Sequence, residues 1–196
     1  MNDARQTGFS LVETMSVMAI TAVLLSNAIP YIGNYYDKKR LIAAAEMMYG
    51  ELQIARSEAI ARSSDIYVKF NIDGSDNWSL GLSTTSGCDP THGLLEPRPC
   101  YLVIDDGDGV TTAADRVLKR TSSAEYPGIK VTNVTFGSDQ AKFDYVRGTA
   151  KAGSIKLESA NGYRLKLVTG LIGRVRICSP AGTAYVNGYN YQNCSW

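Results

Sequence analysis

A predominantly apolar run from Phe9 to Pro30, carrying a single charge at Glu13, constrains this chain more than any other feature. About 20 apolar residues span the hydrocarbon core of a bilayer as a helix. A carboxylate inside such a run is costly in lipid, so Glu13 needs a reason to be there. The stretch ahead of it, Met1 to Gly8, is short and polar. It has no apolar core and no small-x-small cleavage site, so an ordinary secretory signal fits poorly.

The run does not end as a plain membrane helix would. Pro30 and Gly33 interrupt it, and Asp37-Lys38-Lys39-Arg40 marks an interfacial or solvated turn. Beyond them Leu41, Ala44, Ala45, Met48, Leu52, Ala55 and Ala59 recur at spacings of three and four, the apolar stripe of an amphipathic helix. The pattern predicts one long helix from Phe9 to Arg62, softened near Pro30 by a lost hydrogen bond. At 1.5 Å per residue it reaches roughly 80 Å. Its first half must meet lipid or other subunits, and its second half must pack on a sheet.

After Ser63 the period changes to two. Strands are expected at Ile66–Phe70, Trp78–Leu82, Tyr101–Ile104, Arg116–Arg120, Ile129–Phe136, Ser154–Glu158, Tyr163–Val168 and Arg174–Cys178, with Asn161-Gly162 as a hairpin turn. A helix followed by a run of strands is α+β.

The junction Gly8-Phe9-Ser10-Leu11-Val12-Glu13 resembles the cleavage signal of type IV pilins and pseudopilins. The helix-then-sheet order extends the resemblance over most of the chain. It implies the type IV pilin fold: a long N-terminal α-helix, transmembrane in its first half, packed on an antiparallel β-sheet domain. The resemblance divides the chain into a leader (1–8), a transmembrane and filament-core helix (9–30), an amphipathic second half (31–62) and a globular β domain with a basic C-terminal region (63–196). It also implies that a prepilin peptidase cuts after Gly8 and methylates Phe9, leaving the helix in the inner membrane until assembly into a pilus at the cell surface. Glu51–Ile60, Ile66–Phe70, Val103-Ile104-Asp105 and Gly173-Arg174-Val175-Arg176-Ile177-Cys178 are similar to the FimT/GspH-type branch of minor pilins.

Charge is unevenly spread. Of the 196 residues, those from Arg147 onward hold seven basic side chains and one acid, a net of +6, whereas Ala45 to Val146 carries a net of −6. The C-terminal quarter is therefore a candidate anion-binding surface. The four cysteines fall into two local pairs, Cys88…Cys100 and Cys178…Cys194, spaced too widely for a zinc knuckle and accompanied by one histidine, His92. On the outer side of a membrane two disulfides are the natural reading, each worth roughly 3 kcal/mol on the chain-entropy model. Of the three possible pairings the sequence-local one is preferred.

Each candidate site has a plainer counterpart. Glu13 is either an interfacial charge eased by a helix N-terminus or, as the resemblance implies, the partner of the Phe9 amine of a neighbouring subunit. Arg174 and Arg176 share a strand face while Val175 and Ile177 point inward. Arg164 and Lys166 repeat the arrangement around Leu165 and Leu167, Lys156 joins them, and Gly173 leaves room for a backbone to approach. That face is either a solvated surface or a phosphate-binding one. The Gly-Arg-x-Arg sequence looks like the DNA-binding motif of FimT-type pilins used in natural transformation. Tyr185, Tyr189, Tyr191 and Trp196 either stack on bases or pack a disulfide-closed tail, and packing is the better reading. Asp105-Asp106-Gly107-Asp108-Gly109, with Asp115, tempts a calcium reading, but Ile104 stands at the first ligand position, so an acidic turn is expected. His92 has no catalytic partner in sequence and reads as a surface residue.

No enzyme, cofactor or metal is expected. The expected function is that of a minor pilin binding extracellular DNA non-specifically for uptake, with DNA, other pilins, the prepilin peptidase and the inner membrane as partners. The alternative is a structural minor pilin or type II secretion pseudopilin that primes filament assembly. A third reading, adhesion, points to the Ser83–Pro99 loop and the tail.

Overall fold

The computed structural model describes residues 9–104, 112–189 and Cys194, and over 27–31 the helix backbone alone. The leader with Gly8, the Asp105–Gly109 turn, Tyr191 and Trp196 lie outside the described residues. The chain divides into two units, Met1–Tyr36 and Asp37–Trp196. A single helix, α1 (Leu11–Arg62), runs from one into the other and is helical through Pro30 and Gly33.

In the first unit the large apolar side chains of α1 are exposed, among them Leu11, Val12, Met15, Val17, Met18, Ile20, Val23, Leu24 and Leu25. The hydroxyls between them are turned back onto the helix. Thr14 donates to the Leu11 carbonyl at 2.8 Å, Ser16 to Glu13 at 2.8 Å, Thr21 to Val17 at 3.0 Å and Ser26 to Val23 at 2.8 Å. Such back-bonding satisfies a donor that would otherwise need water. Among the described residues, no helix is long and apolar enough to cross a membrane.

In the second unit the stripe reads as expected: Leu41, Ala44, Ala45, Met48, Leu52, Ala55 and Ala59 are all buried. Four alanines let the helix backbone lie close to the strands. Arg62, in the last turn, pairs with Glu58 and donates to the Val103 carbonyl. The helix closes with Ser64 N–H on the Ala59 carbonyl (3.2 Å) and Ser63 N–H on Ile60 (3.3 Å), Ser63 sitting at φ 50°. That is a Schellman cap with serine where glycine is usual.

Ten strands follow. The first sheet contains β1 (Ile66–Ile72), β2 (Trp78–Ser83), β5 (Arg120–Ser122) and β7 (Gln140–Phe143) in the order β5-β2-β1-β7. The second contains β6 (Ile129–Val134), β8 (Gly153–Ser159), β9 (Arg164–Thr169) and β10 (Val175–Cys178) in the order β10-β9-β8-β6. A ribbon of β3 (Tyr101–Val103) and β4 (Arg116–Leu118) completes the set. All the pairings between these strands are antiparallel.

Two expectations change. The single strand expected over Arg116–Arg120 is broken at Lys119. Its first part pairs with β3, its second with β2, because the Lys119 carbonyl accepts Leu82 N–H at 2.9 Å and turns the chain between sheets. Strand β7, not anticipated, pairs with β1 and buries Ala141 and Phe143.

The inward residues of both sheets meet the helix in one core that includes Ile66, Val68, Phe70, Leu80, Leu82, Phe143, Ile155, Leu157, Leu165, Leu167 and Val175. Both expected disulfides are present, Cys88–Cys100 and Cys178–Cys194, with Cα separations of 5.0 and 5.8 Å. The first lies against Gly81, where a Cβ would come within 2.6 Å of the Cys100 Cβ.

Candidate functional site

The second sheet presents its charged residues in cross-strand rows, because residues directly opposite in an antiparallel pair share a face. One row joins Lys130, Glu158 and Arg164, with Lys130 opposite Glu158 and Glu158 opposite Arg164. Here Arg164 Nε lies 2.9 Å from Glu158 Oε2, and Lys130 Nζ reaches Asp76 Oδ1 at 3.3 Å. The next row places Lys156 directly opposite Lys166, with Cys178 beyond Lys166. Burial holds the Lys166 ammonium below its ordinary pKa, and the Lys156 charge lowers it further. Two facing ammoniums are mutually unfavourable.

Arg176 lies opposite Val168 on β9, and its neighbour Val175 is buried while Ile177 is half-buried against the core. Arg174 precedes the strand rather than opening it. Its carbonyl accepts Gly170 N–H at 2.9 Å, which makes it the closing residue of the β9–β10 turn. Both arginines are exposed, and among the described residues neither guanidinium makes an ion pair or hydrogen bond. The five cations singled out in sequence thus divide into three environments. Arg164 is tied to Glu158, Lys156 faces Lys166, and Arg174 with Arg176 stands at the edge strand.

Gly173 is held between the turn and the helix. It sits at φ 74°, and a Cβ there would fall 2.0 Å from the Gly148 carbonyl oxygen. Arg56 Nε donates to that same oxygen at 3.1 Å. The space that sequence reading assigned to an approaching backbone is filled by this chain's own Gly148. Gly173 therefore acts on the arginines through position, by letting the turn seat against α1. Arg56 and Gly148 were not anticipated as parts of this arrangement. Neither carries a local pattern, since their contact closes across 92 residues.

Among the described residues, the tail is packed at Ser179, Val186 and Tyr189. Ser179 Oγ donates to the Arg164 carbonyl at 3.0 Å and accepts Val186 N–H at 2.9 Å; Val186 is buried. Tyr189 OH donates to Glu46 Oε1 at 2.7 Å. Burial, followed by this bond to a carboxylate, pushes the Tyr189 phenol up to about 12.

Other candidates resolve simply. Asp115 is buried and accepts both the backbone N–H and the hydroxyl of Thr112, so its carboxylate is engaged within its own turn. His92 is half-buried, its Nδ1 against the Pro97 carbonyl. Among the described residues no group of His, Cys, Asp and Glu is arranged to hold a metal. Phe9 is exposed, and Glu13 sits in the first turn of α1.

A long N-terminal helix with an apolar leading half and a striped second half packed on antiparallel sheets defines a type IV pilin-like subunit, a minor pilin or pseudopilin. Comparison with known families agrees: the Type II transport protein GspH family matches residues 44–173, and the prokaryotic N-terminal methylation motif matches residues 3–26. The chain belongs to the GspH family, whose members are structural filament proteins rather than enzymes. The methylation motif ties it to a membrane-anchored precursor, to the prepilin peptidase and to other pilins. No curated protein and no solved structure matches the chain significantly. The family match ends at Gly173, so Arg174 and Arg176 lie just beyond it.

Proposed function

We propose that this chain is a minor type IV pilin that captures extracellular DNA through the basic face of its C-terminal sheet, for uptake in natural transformation. The observation that carries this reading is the exposed pair Arg174 and Arg176, for which no anionic partner exists among the described residues, beside the facing Lys156–Lys166 pair. Guanidinium groups fork onto phosphate oxygens, and no helix is presented to a groove, so contact is to the backbone and independent of sequence. Gly173 positions the pair, and Arg164, Lys166 and Lys156 extend the basic face.

In this reading the peptidase cuts after Gly8 and methylates Phe9. The Phe9–Pro30 segment holds the subunit in the inner membrane as a single pass, and Glu13 pairs with the Phe9 amine of a neighbour during assembly. An uncompensated carboxylate in an apolar filament core is expensive, so the pair selects for correct docking. The second reading is a type II secretion pseudopilin that primes assembly without binding nucleic acid. The family match favours it, because the family is described as a Type II transport protein.

The two readings separate in a mobility-shift series with residues 37–196 and duplex DNA. The wild-type domain shifts DNA at low salt, and binding falls steeply as salt rises because phosphate contacts release counterions. Arg174→Gln with Arg176→Gln abolishes the shift. No shift at low salt, or an equal shift by the double variant, leaves the secretion reading.

A further inference from the structure

Two turns come together at the end of the domain where α1 finishes. The first follows β7 and is closed by Asp144 N–H on the Thr149 carbonyl at 2.8 Å. The second is the β9–β10 turn, closed by Gly170 N–H on the Arg174 carbonyl. Ala150 N–H donates to the Leu171 carbonyl at 3.0 Å, and Gly148 abuts Gly173, so the two tips are fastened side by side. Arg56, two turns before the helix end, anchors the junction through the Gly148 carbonyl.

The tips carry the wrong residues for ordinary turns. Solvent-facing turns favour Gly, Asn, Asp, Ser and Pro, which satisfy the backbone without exposing apolar surface. Here Leu171 is 70% exposed, Ile172 69%, Val146 67% and Tyr145 43%. Grouped, large, exposed apolar side chains mark an interaction surface. Arg147, Lys151 and Arg174 are exposed around the tips. The acid between them, Asp144, is half-buried and accepts Val146 N–H at 2.9 Å.

We propose that these paired tips dock the domain onto a membrane leaflet rich in anionic headgroups, Leu171, Ile172, Val146 and Tyr145 entering the acyl boundary while Arg147, Lys151 and Arg174 meet phosphates. A bilayer supplies an apolar layer beneath a plane of anions and accepts projecting tips without a matching groove. A nucleic acid supplies the anions but leaves the four apolar side chains in water. A protein partner needs an acid-rimmed apolar groove of matching shape. The proposal does not rest on DNA capture, although Arg174 belongs to both faces, and it does not involve the N-terminal segment.

The test uses residues 37–196, which contain the whole core from Leu41 to Val186. The domain is sedimented with vesicles of phosphatidylcholine alone and of phosphatidylcholine with phosphatidylglycerol. Binding is expected to the anionic vesicles and to weaken with salt. Leu171→Ser with Ile172→Ser lowers it at least tenfold, with an unchanged melting temperature and an unchanged DNA shift. Arg147→Gln and Arg174→Gln each lower it about fivefold. Two results overturn the proposal: no sedimentation with anionic vesicles at low salt, or equal sedimentation by the serine variant, which would reduce the effect to adsorption of a basic face. If, in the full chain, the serine variant instead loses only its incorporation into filaments, the tips are a subunit contact and the membrane assignment fails.

Discussion

The two halves of α1 are both rich in apolar residues and use them oppositely. From Leu11 to Leu25 the large side chains point around the whole circumference and are exposed. From Leu41 to Ala59 they form one stripe and are buried. The first half lacks a polar face to turn toward water, and its hydroxyls are already satisfied by its own carbonyls. The second half depends on the sheets for its surround. A stripe is a demand on the rest of the same chain; an all-round apolar surface is a demand on something else.

The sharpest way to break this contrast is to truncate one leucine in each half. Leu52→Ala removes a fully buried side chain and is expected to cost about 3 kcal/mol, read by denaturant unfolding of residues 37–196. Leu24→Ala in the full chain is expected to leave the unfolding of the β domain unchanged. Equal losses would mean that the first half also packs on the domain.

A smaller effect tests the boundary. Asp37, the first residue of the second unit, accepts Ser159 Oγ at 2.6 Å and Asn161 N–H at 3.1 Å. Asp37→Ala should cost about 1.5 kcal/mol, as lost hydrogen bonds to a carboxylate do, measured in the same unfolding series. No change would place the start of the cooperative unit further along the helix.

The smallest effect concerns the tail. Because the Tyr189 pKa is raised in the folded state, its contribution to stability is fully present below the ordinary value of 10.0 and is lost as pH rises toward about 12. An absorbance titration should show Tyr189→Phe removing a late-ionising phenol. Loss of an earlier one would mean that the bond to Glu46 does not form in solution.

The helical stripe was fully legible, because spacing of three and four leaves little choice about which face is buried. Most strands were legible from alternation, as were the inward Leu165, Leu167 and Val175. Strand β7 was missed because four residues, Gln140–Phe143, carry too short an alternation to stand apart from a loop. The break at Lys119 was invisible because a change of sheet does not alter period two. Among site residues, the positive charge of the C-terminal quarter was evident from composition, whereas its division was not. Glu158 was visible as an acid, but its placement opposite Arg164 depends on register across the Asn161-Gly162 turn. Lys130 entered the same row only through the pairing of β6 with β8.

The sequence by itself determined what is local or periodic: the methylation motif at Phe9, the extent of the helix, which side chains each element turns inward, and the net charge of each region. Tertiary structure decided which cations stand opposite one another, why residue 173 must be glycine, and that two apolar turns meet beside Arg174. Those depend on contacts between residues far apart in the chain, such as Arg56 with Gly148 and Glu46 with Tyr189. No periodicity encodes such contacts, because they arise only when sheet register and helix packing are satisfied together.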